Sequence, residues 1–257
     1  MILVIVRKQT RLRALAAILL LGLMVIAWTT SYSLSTLVSL VSGKLRPVYR
    51  VTAARDAVAL TFDISWGEVS PTRVLDVLRS KGVRCTFFLS GPWAAAHPDV
   101  VRRIAGEGHE VASHGYHHDN YSQLSKERIV QDLRKTREIL TGLAGHEARL
   151  LRPPNGDFDD HSIMAATEEG YLTIIWSLDS HDWMNPGVDY MINRLKMAQA
   201  GDIILCHASD SARETYLALS AGIDAIRAKG LKLVTLTELL GMAGGQYMIQ
   251  PDRSLLR

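Results

Sequence analysis

Five short polar clusters, each following an apolar run, contain the side chains best suited to acid–base and metal chemistry. They are Thr61-Phe62-Asp63, His114 with His118, Arg152-Pro153-Pro154, Asp179-Ser180-His181-Asp182-Trp183 and Leu205-Cys206-His207. Carboxylates, imidazoles and an arginine on separate strands cost stability unless a shared site holds them together. A barrel whose strand ends converge on one face supplies such a site, so the pattern predicts an enzyme.

The spacing of His114 and His118 predicts a metal site. Three residues separate them, so both imidazoles can reach one ion from a helical turn or a tight loop. Asp63 closes the first predicted strand. A carboxylate there is placed to accept the proton of an activated water as that water attacks.

Arg152, Asp179 and His207 complete the predicted acid–base set. A guanidinium beside Asp63 keeps that carboxylate ionised and oriented, which is the predicted role of Arg152. His207 ends the sixth predicted strand and is the expected proton donor to a leaving group. Asp179, at the end of the preceding strand, is the predicted carboxylate partner of His207.

Two further groups of residues predict contacts with the substrate. Trp183 and Leu205 are expected to line a small apolar pocket that suits a methyl-sized acyl group. The two prolines after Arg152 stiffen their loop, so backbone N–H groups near Asn155 and Gly156 are expected to face a developing oxyanion.

The elements that must position these residues alternate along the chain from Val51 onward. The predicted strands are Ala57–Phe62, Arg84–Leu89, His109–Ser113, Arg149–Arg152, Leu172–Trp176, Asp202–Cys206 and Lys232–Thr235. The predicted helices are Pro71–Lys81, Pro98–Glu107, Lys126–Leu143, Asp160–Glu169, Val188–Ala198, Ser211–Lys229 and Leu236–Gly241. Strict alternation of strand and helix indicates a parallel sheet. Seven repeats predict an α/β fold that is TIM-like but one repeat short.

The N-terminal segment, residues 1–43, predicts a membrane anchor. It contains four basic residues, no acidic residue, and an uncharged span that runs from after Arg13 to Lys44. Such a span can cross a bilayer, with the basic end in the cytoplasm and the rest of the chain exported. A cleaved signal peptide, which would make the protein secreted, is the alternative. Outside this segment 25 basic residues face 26 acidic ones, which offers no footprint for nucleic acid.

The remaining residues divide into three predicted regions. Residues 44–56 are expected to form a stalk, residues 57–241 the catalytic domain and residues 242–257 a C-terminal tail. The 2 cysteines of the 257-residue chain, Cys85 and Cys206, lie in apolar runs. They are expected to be buried thiols and not a disulfide or a structural zinc site.

The five ordered motifs resemble those of the polysaccharide deacetylases of carbohydrate esterase family 4, also called the NodB-homology domain. The resemblance covers about Ala57 to Gly241, nearly all of the exported part. Three stretches look like the sporulation-associated, membrane-anchored branch of that family. They are Thr61-Phe62-Asp63-Ile64-Ser65-Trp66-Gly67, Trp183-Met184-Asn185-Pro186-Gly187-Val188-Asp189-Tyr190 and His207-Ala208-Ser209-Asp210-Ser211.

The resemblance implies a distorted (β/α)7 barrel that removes N-acetyl groups from aminosugar polymers with a divalent ion, zinc being the expected one. It assigns the catalytic base, its orienting arginine, the general acid and the carboxylate that tunes the acid to Asp63, Arg152, His207 and Asp179. It assigns the metal to His114 and His118 and the acetate pocket to Trp183 and Leu205. Asn155 stands where a tyrosine is usual. The implied partner is an N-acetylated cell-wall glycan, most plausibly peptidoglycan, outside the cytoplasm.

Two departures from the family pattern affect the metal site. Ile64 stands where a second aspartate usually binds the metal, so the third ligand must be water, Asp63, Ser65 or Asp119. Gly115 stands where Ser or Thr usually supports the histidine loop, which predicts weaker orientation of the ligands. A glycan-binding relative without turnover, or a structural protein, is therefore the alternative to an active deacetylase.

Overall fold

The computed structural model describes residues 46–242 and 248–249. Its strands are β1 (Val48–Arg50), β2 (Ala57–Ile64), β3 (Thr86–Leu89), β4 (Glu110–Ser113), β5 (Leu150–Leu151), β6 (Leu172–Thr173), β7 (Leu178–Asp179), β8 (Ile203–His207), β9 (Lys232–Val234) and β10 (Met248–Ile249). Its helices are α1 (Val69–Lys81), α2 (Gly91–Ala96), α3 (Pro98–Gly106), α4 (Lys126–Ala144), α5 (Asp160–Glu168), α6 (Val188–Lys196), α7 (Thr215–Ala228) and α8 (Leu236–Gly241).

Most of the strands form one parallel sheet in the order β6-β5-β4-β3-β2-β8-β7, with β9 also pairing with β2. The register places Asp63 at the end of β2 opposite His207 at the end of β8 and Phe88 of β3. Parallel strands present their carboxyl ends at the same edge, so the polar residues that follow them are brought to one face.

The two edge strands of this sheet lie on one continuous segment, because β6 is followed after four residues by β7. The segment pairs with β5 at its start and with β8 at its end. Val48 of β1 forms a further parallel bridge with Ile174 between them. The sheet therefore curls round on itself, consistent with the predicted distorted (β/α)7 barrel.

Alternate side chains of β2 belong to two different apolar clusters. Val58, Leu60, Phe62 and Ile64 are fully buried in the cluster that includes helix residues of α1 and α7. Ala57 and Ala59 belong to a second cluster, which includes Phe88, Ile203 and Leu236. Successive side chains of a strand point to opposite faces, so residues of β2 contribute alternately to the two layers. Burial on both faces explains why the strand reads as an almost continuous apolar run.

All seven predicted strands and all seven predicted helices are confirmed, with ends that differ by a few residues. Helix α2 and strands β1, β7 and β10 were not predicted. Helix α2 has only six residues, and the three strands are two or three residues long and lie outside the longer apolar runs that gave the other strands their signal. Cys85 and Cys206 are free and buried, as expected.

The prediction of a stalk over residues 44–56 is wrong for its described part. Val48 and Val51 are buried, and the N–H of Val51 donates to the carbonyl of Gly201 (2.8 Å). Strand β1 also pairs with β10, which lies in the predicted C-terminal tail. Burial of these apolar side chains stabilises this segment against the domain.

The predicted anchor over residues 1–43 lies outside the described residues. Within residues 46–242 and 248–249, no helix is long and apolar enough to cross a membrane.

Candidate active site

A cavity of about 310 Å³ opens at the carboxyl ends of the strands. Its lining contains seven of the nine predicted site residues; Arg152 and Asp179 are buried and do not line it. The lining residues are Asp63, Ser65, Trp66, His114, His118, Asn155, Gly156, Trp176, Trp183, Leu205, His207, Ser209 and Ser211. The convergence expected from the strand ends is therefore present in the structure.

Asp63 and Arg152 form a buried ion pair beneath the cavity. The Nη1 group of Arg152 donates to Oδ1 of Asp63 over 2.7 Å, and the two residues are 0% and 5% exposed. The guanidinium also lies over the ring of Phe88, 4.1 Å from its centroid. Burial alone would raise the pKa of Asp63, but the charge and hydrogen bond of Arg152, together with the charges of His114 and His207, outweigh burial and hold this pKa below its ordinary value. Asp63 is therefore an ionised carboxylate at neutral pH.

His114 follows β4 directly and is oriented by the backbone of Arg152. Its Nδ1 donates to the carbonyl oxygen of Arg152 (2.8 Å), which leaves Nε2 as the unprotonated nitrogen, 3.7 Å from Oδ2 of Asp63. Burial lowers the pKa of His114 to about 4, so the imidazole is neutral. The ring of His118 lies 5.1 Å from that of His114, centroid to centroid, and burial also lowers the pKa of His118.

The loop between the two histidines is fixed by Asp132 of α4. Oδ1 of Asp132 accepts hydrogen bonds from the N–H of Tyr116 (2.8 Å) and the hydroxyl of Tyr121 (2.5 Å), and Oδ2 accepts from the N–H of His117 (3.0 Å). Asp132 and Tyr121 are both buried. Charge-assisted bonds of this kind are stronger than neutral ones, so the loop is firmly held.

The expectation that Gly115 weakens this loop is not supported by its surroundings. Gly115 has φ +71°, and an added Cβ would lie 2.8 Å from Oη of Tyr121 and 3.0 Å from Oδ1 of Asp132. The phenol of Tyr121 thus occupies the space beside residue 115 and supplies a hydroxyl to the loop. Neither Tyr121 nor Asp132 was predicted from the sequence, because they lie after the histidine motif and carry no spacing signal of their own.

The residues present fit a divalent ion in donor chemistry but supply only two imidazoles. The Nδ1–H bond of His114 sets the tautomer in which Nε2 can bind a metal. Ile64 is fully buried in an apolar cluster and does not line the cavity. Ser65 does line it, whereas Asp119 lines a separate cleft with Arg128 and Lys135. The part of the chain that the structure describes contains no group of three His, Cys, Asp or Glu side chains that could hold a metal.

The carboxylate partner of His207 is Asp182, so the prediction that Asp179 fills this position is wrong. Nδ1 of His207 lies 2.7 Å from Oδ1 of Asp182. Oδ2 of Asp182 accepts from the N–H of His207 (2.6 Å) and the hydroxyl of Thr215 (2.7 Å). Burial alone would lower the pKa of His207, but the charge and hydrogen bond of Asp182, aided by Asp63 and Asp179, raise it to about 9.

A left-handed backbone turn explains why Asp182, and not Asp179, reaches His207. Asp179 ends β7, and its Oδ1 accepts the N–H of His181 over 2.7 Å. His181 has φ +58°, and this turn reverses the chain so that Asp182 opens a short 3₁₀ turn next to β8. Asp179 influences His207 only through its charge. Strand alternation gives no indication of such a turn.

Trp183, Leu205 and Asn155 line the same cavity as His207. Leu205 is buried and Trp183 is about half exposed, so the two form part of an apolar wall. The backbone N–H of Gly156 donates to the carbonyl of Pro153 (3.1 Å). That N–H is engaged and is not available to an oxyanion as predicted.

Comparison with known proteins identifies the family. The profile of the family described as Polysaccharide deacetylase matches residues 50–174. A peptidoglycan-N-acetylglucosamine deacetylase of Bacillus cereus is 34% identical over 187 residues, which is 71% of this chain and 87% of that protein. The chain spans 63% of another relative, the uncharacterised protein YlxY of Bacillus subtilis, with which it shares 33% identity over 79% of its own length.

Solved structures give the same relationship. The Bc1960 peptidoglycan N-acetylglucosamine deacetylase has a TM-score of 0.73 and 31% identity, covering 78% of this chain and 95% of that one. BA3943 of Bacillus anthracis, described as a pseudoenzyme of carbohydrate esterase family 4, has a TM-score of 0.71 and 32% identity over 76% of this chain and 68% of that one. A BA3943 mutant with restored enzymatic activity is similarly related.

These similarities, together with the cavity geometry, define the class of protein. The chain belongs to the polysaccharide deacetylase family. We therefore class the protein with the hydrolases of that family.

Proposed function

We propose that the protein hydrolyses N-acetyl groups on the aminosugars of cell-wall peptidoglycan. The observation that carries the proposal is the pairing of two oppositely tuned groups in one cavity. Asp63 is held ionised by Arg152, and His207 is held protonated by Asp182. A base and an acid whose environments separate their pKa values are the requirement for amide hydrolysis near neutral pH. Relatives named peptidoglycan-N-acetylglucosamine deacetylases support the choice of substrate.

The proton transfers follow from the two pairs. Asp63 accepts a proton from the attacking water while its bond to Arg152 fixes the orientation of the carboxylate. His207 donates a proton from Nε2 to the leaving amine nitrogen, because Nδ1 is bonded to Asp182. The positive charge that His207 carries before this step is stabilised by the same carboxylate.

His114 and His118 are the residues that would hold the divalent ion. Such an ion, when bound, polarises the scissile carbonyl and lowers the pKa of the attacking water. The contribution of the protein is to present Nε2 of His114 unprotonated toward the cavity and to hold the loop that carries His118. Trp183 and Leu205 would contact the methyl of the acetyl group.

The location of the activity is part of the same proposal. Residues 1–43 would anchor the chain in the membrane, with the barrel in the cell envelope or spore envelope, and the sporulation-like motifs suggest a role in spore wall maintenance. Cleavage of this segment would instead release the domain.

A second candidate is a glycan-binding relative with impaired turnover. It is favoured by Ile64, which places an apolar buried side chain where a carboxylate ligand is usual. Similarity to BA3943, itself described as a pseudoenzyme, gives this reading additional support.

Metal content and acetate release distinguish the two candidates. The purified protein is measured by elemental analysis and assayed on N-acetylglucosamine oligomers and on peptidoglycan, with and without zinc or cobalt. Metal-dependent acetate release that disappears in Asp63→Asn and His207→Ala supports the deacetylase. Glycan binding without acetate release in the wild type, together with gain of turnover in Ile64→Asp, would establish the second candidate.

A further inference from the structure

Trp66 is an exposed aromatic at the mouth of the cavity that the proposed chemistry does not use. Its side chain is 49% exposed although it lines the same cavity as Asp63. The indole lies edge-on to His118, with ring centroids 5.7 Å apart and an interplanar angle of 66°. An aromatic surface of this size left open to water at a cavity mouth is a feature of ligand-binding walls.

The loop that carries Trp66 is held by hydrogen bonds to a second loop. The carboxylate of Asp210 accepts hydrogen bonds from the N–H groups of Glu68 (3.1 Å) and Ser70 (2.7 Å) at the start of α1. The N–H of Asp210 donates to the carbonyl of Trp66 over 3.4 Å. A residue far along the chain thus caps this helix and fixes the backbone of Trp66 at the same time.

Two further contacts fix the same loop from the other side. Nε1 of Trp93 donates to the carbonyl of Gly67 (2.6 Å). Gly67 has φ +87°, and an added Cβ would approach Asp210 to 2.3 Å, so only glycine allows the two loops to meet this closely. The N–H of Ser65 donates to the hydroxyl of Ser209 (3.3 Å). Trp66 is therefore presented by two loops that are bonded to each other.

An indole that is held in place and exposed to solvent suits a ligand that is flat, partly apolar and partly hydroxylated. A pyranose ring presents an apolar face of C–H groups that packs against an aromatic ring, while its hydroxyls stay in water. A rigid aromatic loses little conformational entropy when it binds. Trp66 contacts the ring of His118. Leu205 instead shares a strand with His207, and Trp183 directly follows Asp182, the partner of His207.

We propose that Trp66 is a stacking platform for a sugar ring of the glycan chain next to the residue that loses its acetyl group. The inference rests on the proposed function for the identity of the glycan. It makes Trp66 a determinant of chain-length preference, and it assigns the paired loops 65–70 and 207–211 the role of holding it.

The kinetic test compares Trp66→Ala and Trp66→Phe in the full-length chain, kept in mild detergent and loaded with zinc. Acetate release is followed on the N-acetylglucosamine monomer and on the pentamer. We expect KM for the pentamer to rise about tenfold in Trp66→Ala and less in Trp66→Phe. The KM for the monomer, which has no neighbouring ring, and kcat for the pentamer should change less than about threefold. Leu217→Ala is the control, because Leu217 is an apolar side chain that is 53% exposed but does not line the cavity.

A binding test separates this inference from the proposed chemistry. Titration calorimetry with the pentamer is performed on chelator-treated wild type, Trp66→Ala and Leu217→Ala, so no turnover is needed. Binding that weakens about tenfold in Trp66→Ala alone supports the platform even if the wild type releases no acetate. Equal affinity in all three proteins, or no binding of the pentamer by the wild type, overturns it.

Discussion

The pairing of His207 with Asp182 predicts a large change in the pH dependence of activity when the charge of Asp182 is removed. Asp182 is fully buried and accepts three hydrogen bonds, two from His207 and one from Thr215. Asp182→Asn keeps the shape of the side chain but removes its negative charge. The protonated form of His207 then loses its main stabilising partner, while burial of the imidazole is unchanged.

The magnitude follows from the pKa of His207, which is about 9 instead of the ordinary 6.5. This difference corresponds to roughly 3 kcal/mol in favour of the protonated imidazole. Because the pKa is raised in the folded protein, the corresponding stability is fully present below pH 6.5 and is lost as pH rises through 9. In Asp182→Asn we expect the pKa to fall to about 6.5 or below. At pH 8 the protonated fraction of His207 would then fall roughly thirtyfold, because each unit by which the pH exceeds the pKa lowers that fraction about tenfold.

The assay is the pH profile of kcat/KM for acetate release, together with an NMR titration of His207 in metal-free protein. In the wild type the alkaline limb should fall near pH 9, and in Asp182→Asn it should move down by about 2.5 pH units or more. Asp179→Asn is the control and should move the limb much less, because Asp179 does not contact the imidazole. An alkaline limb that stays near pH 9 in Asp182→Asn, or that moves equally in Asp179→Asn, would refute the assignment of Asp182.

Three other substitutions test separate parts of the site. Arg152→Met removes the cation that lowers the pKa of Asp63, so that burial then raises this pKa. The acid limb of the kcat/KM profile should therefore move to higher pH, and activity at pH 6 should fall. Tyr121→Phe deletes the hydroxyl that bonds to the carboxylate holding the histidine loop, and zinc affinity, measured by competition with a chromophoric chelator, should weaken roughly tenfold; unchanged affinity would show that this hydroxyl is dispensable. Gly67→Ala places a Cβ 2.3 Å from a neighbouring side chain and should lower the free energy of unfolding by roughly 2–4 kcal/mol in a denaturant titration. Gly230→Ala, also at positive φ but with no neighbour within 4 Å, should cost only about 1 kcal/mol, and equal losses in the two would contradict the role given to the contact.

The sequence was sufficient to predict the barrel and most of the cavity because both depend on simple periodicities. Asp63 and His207 end long apolar strands that are buried on both faces, and the parallel register then places them directly opposite each other. Arg152 follows β5 in the same way, and its carbonyl meets His114 after the adjacent strand β4. A residue at the carboxyl end of a parallel strand can therefore be assigned to the site without knowing any loop.

Residues that reach the site through irregular backbone could not be predicted in this way. Asp182 depends on the left-handed conformation of His181, a residue type that adopts positive φ only occasionally. Tyr121 and Asp132 reach the histidine loop from a 3₁₀ turn and from the middle of α4. Their roles arise from tertiary contacts, for which the local sequence provides no periodic signal.

The structure also indicates how a site with one carboxylate fewer can keep its geometry. Arg152 orients two functional groups at once, since its guanidinium holds Asp63 and its carbonyl oxygen holds Nδ1 of His114. Asp132 fixes the backbone between the histidines from the opposite side. With Ile64 buried in the apolar layer, no carboxylate at that position contributes to ion binding. The metal affinity that a third protein ligand would provide then has to come from the orientation of the two imidazoles. Metal affinity should therefore depend more strongly on the residues that hold the histidines than it would in a site with three protein ligands.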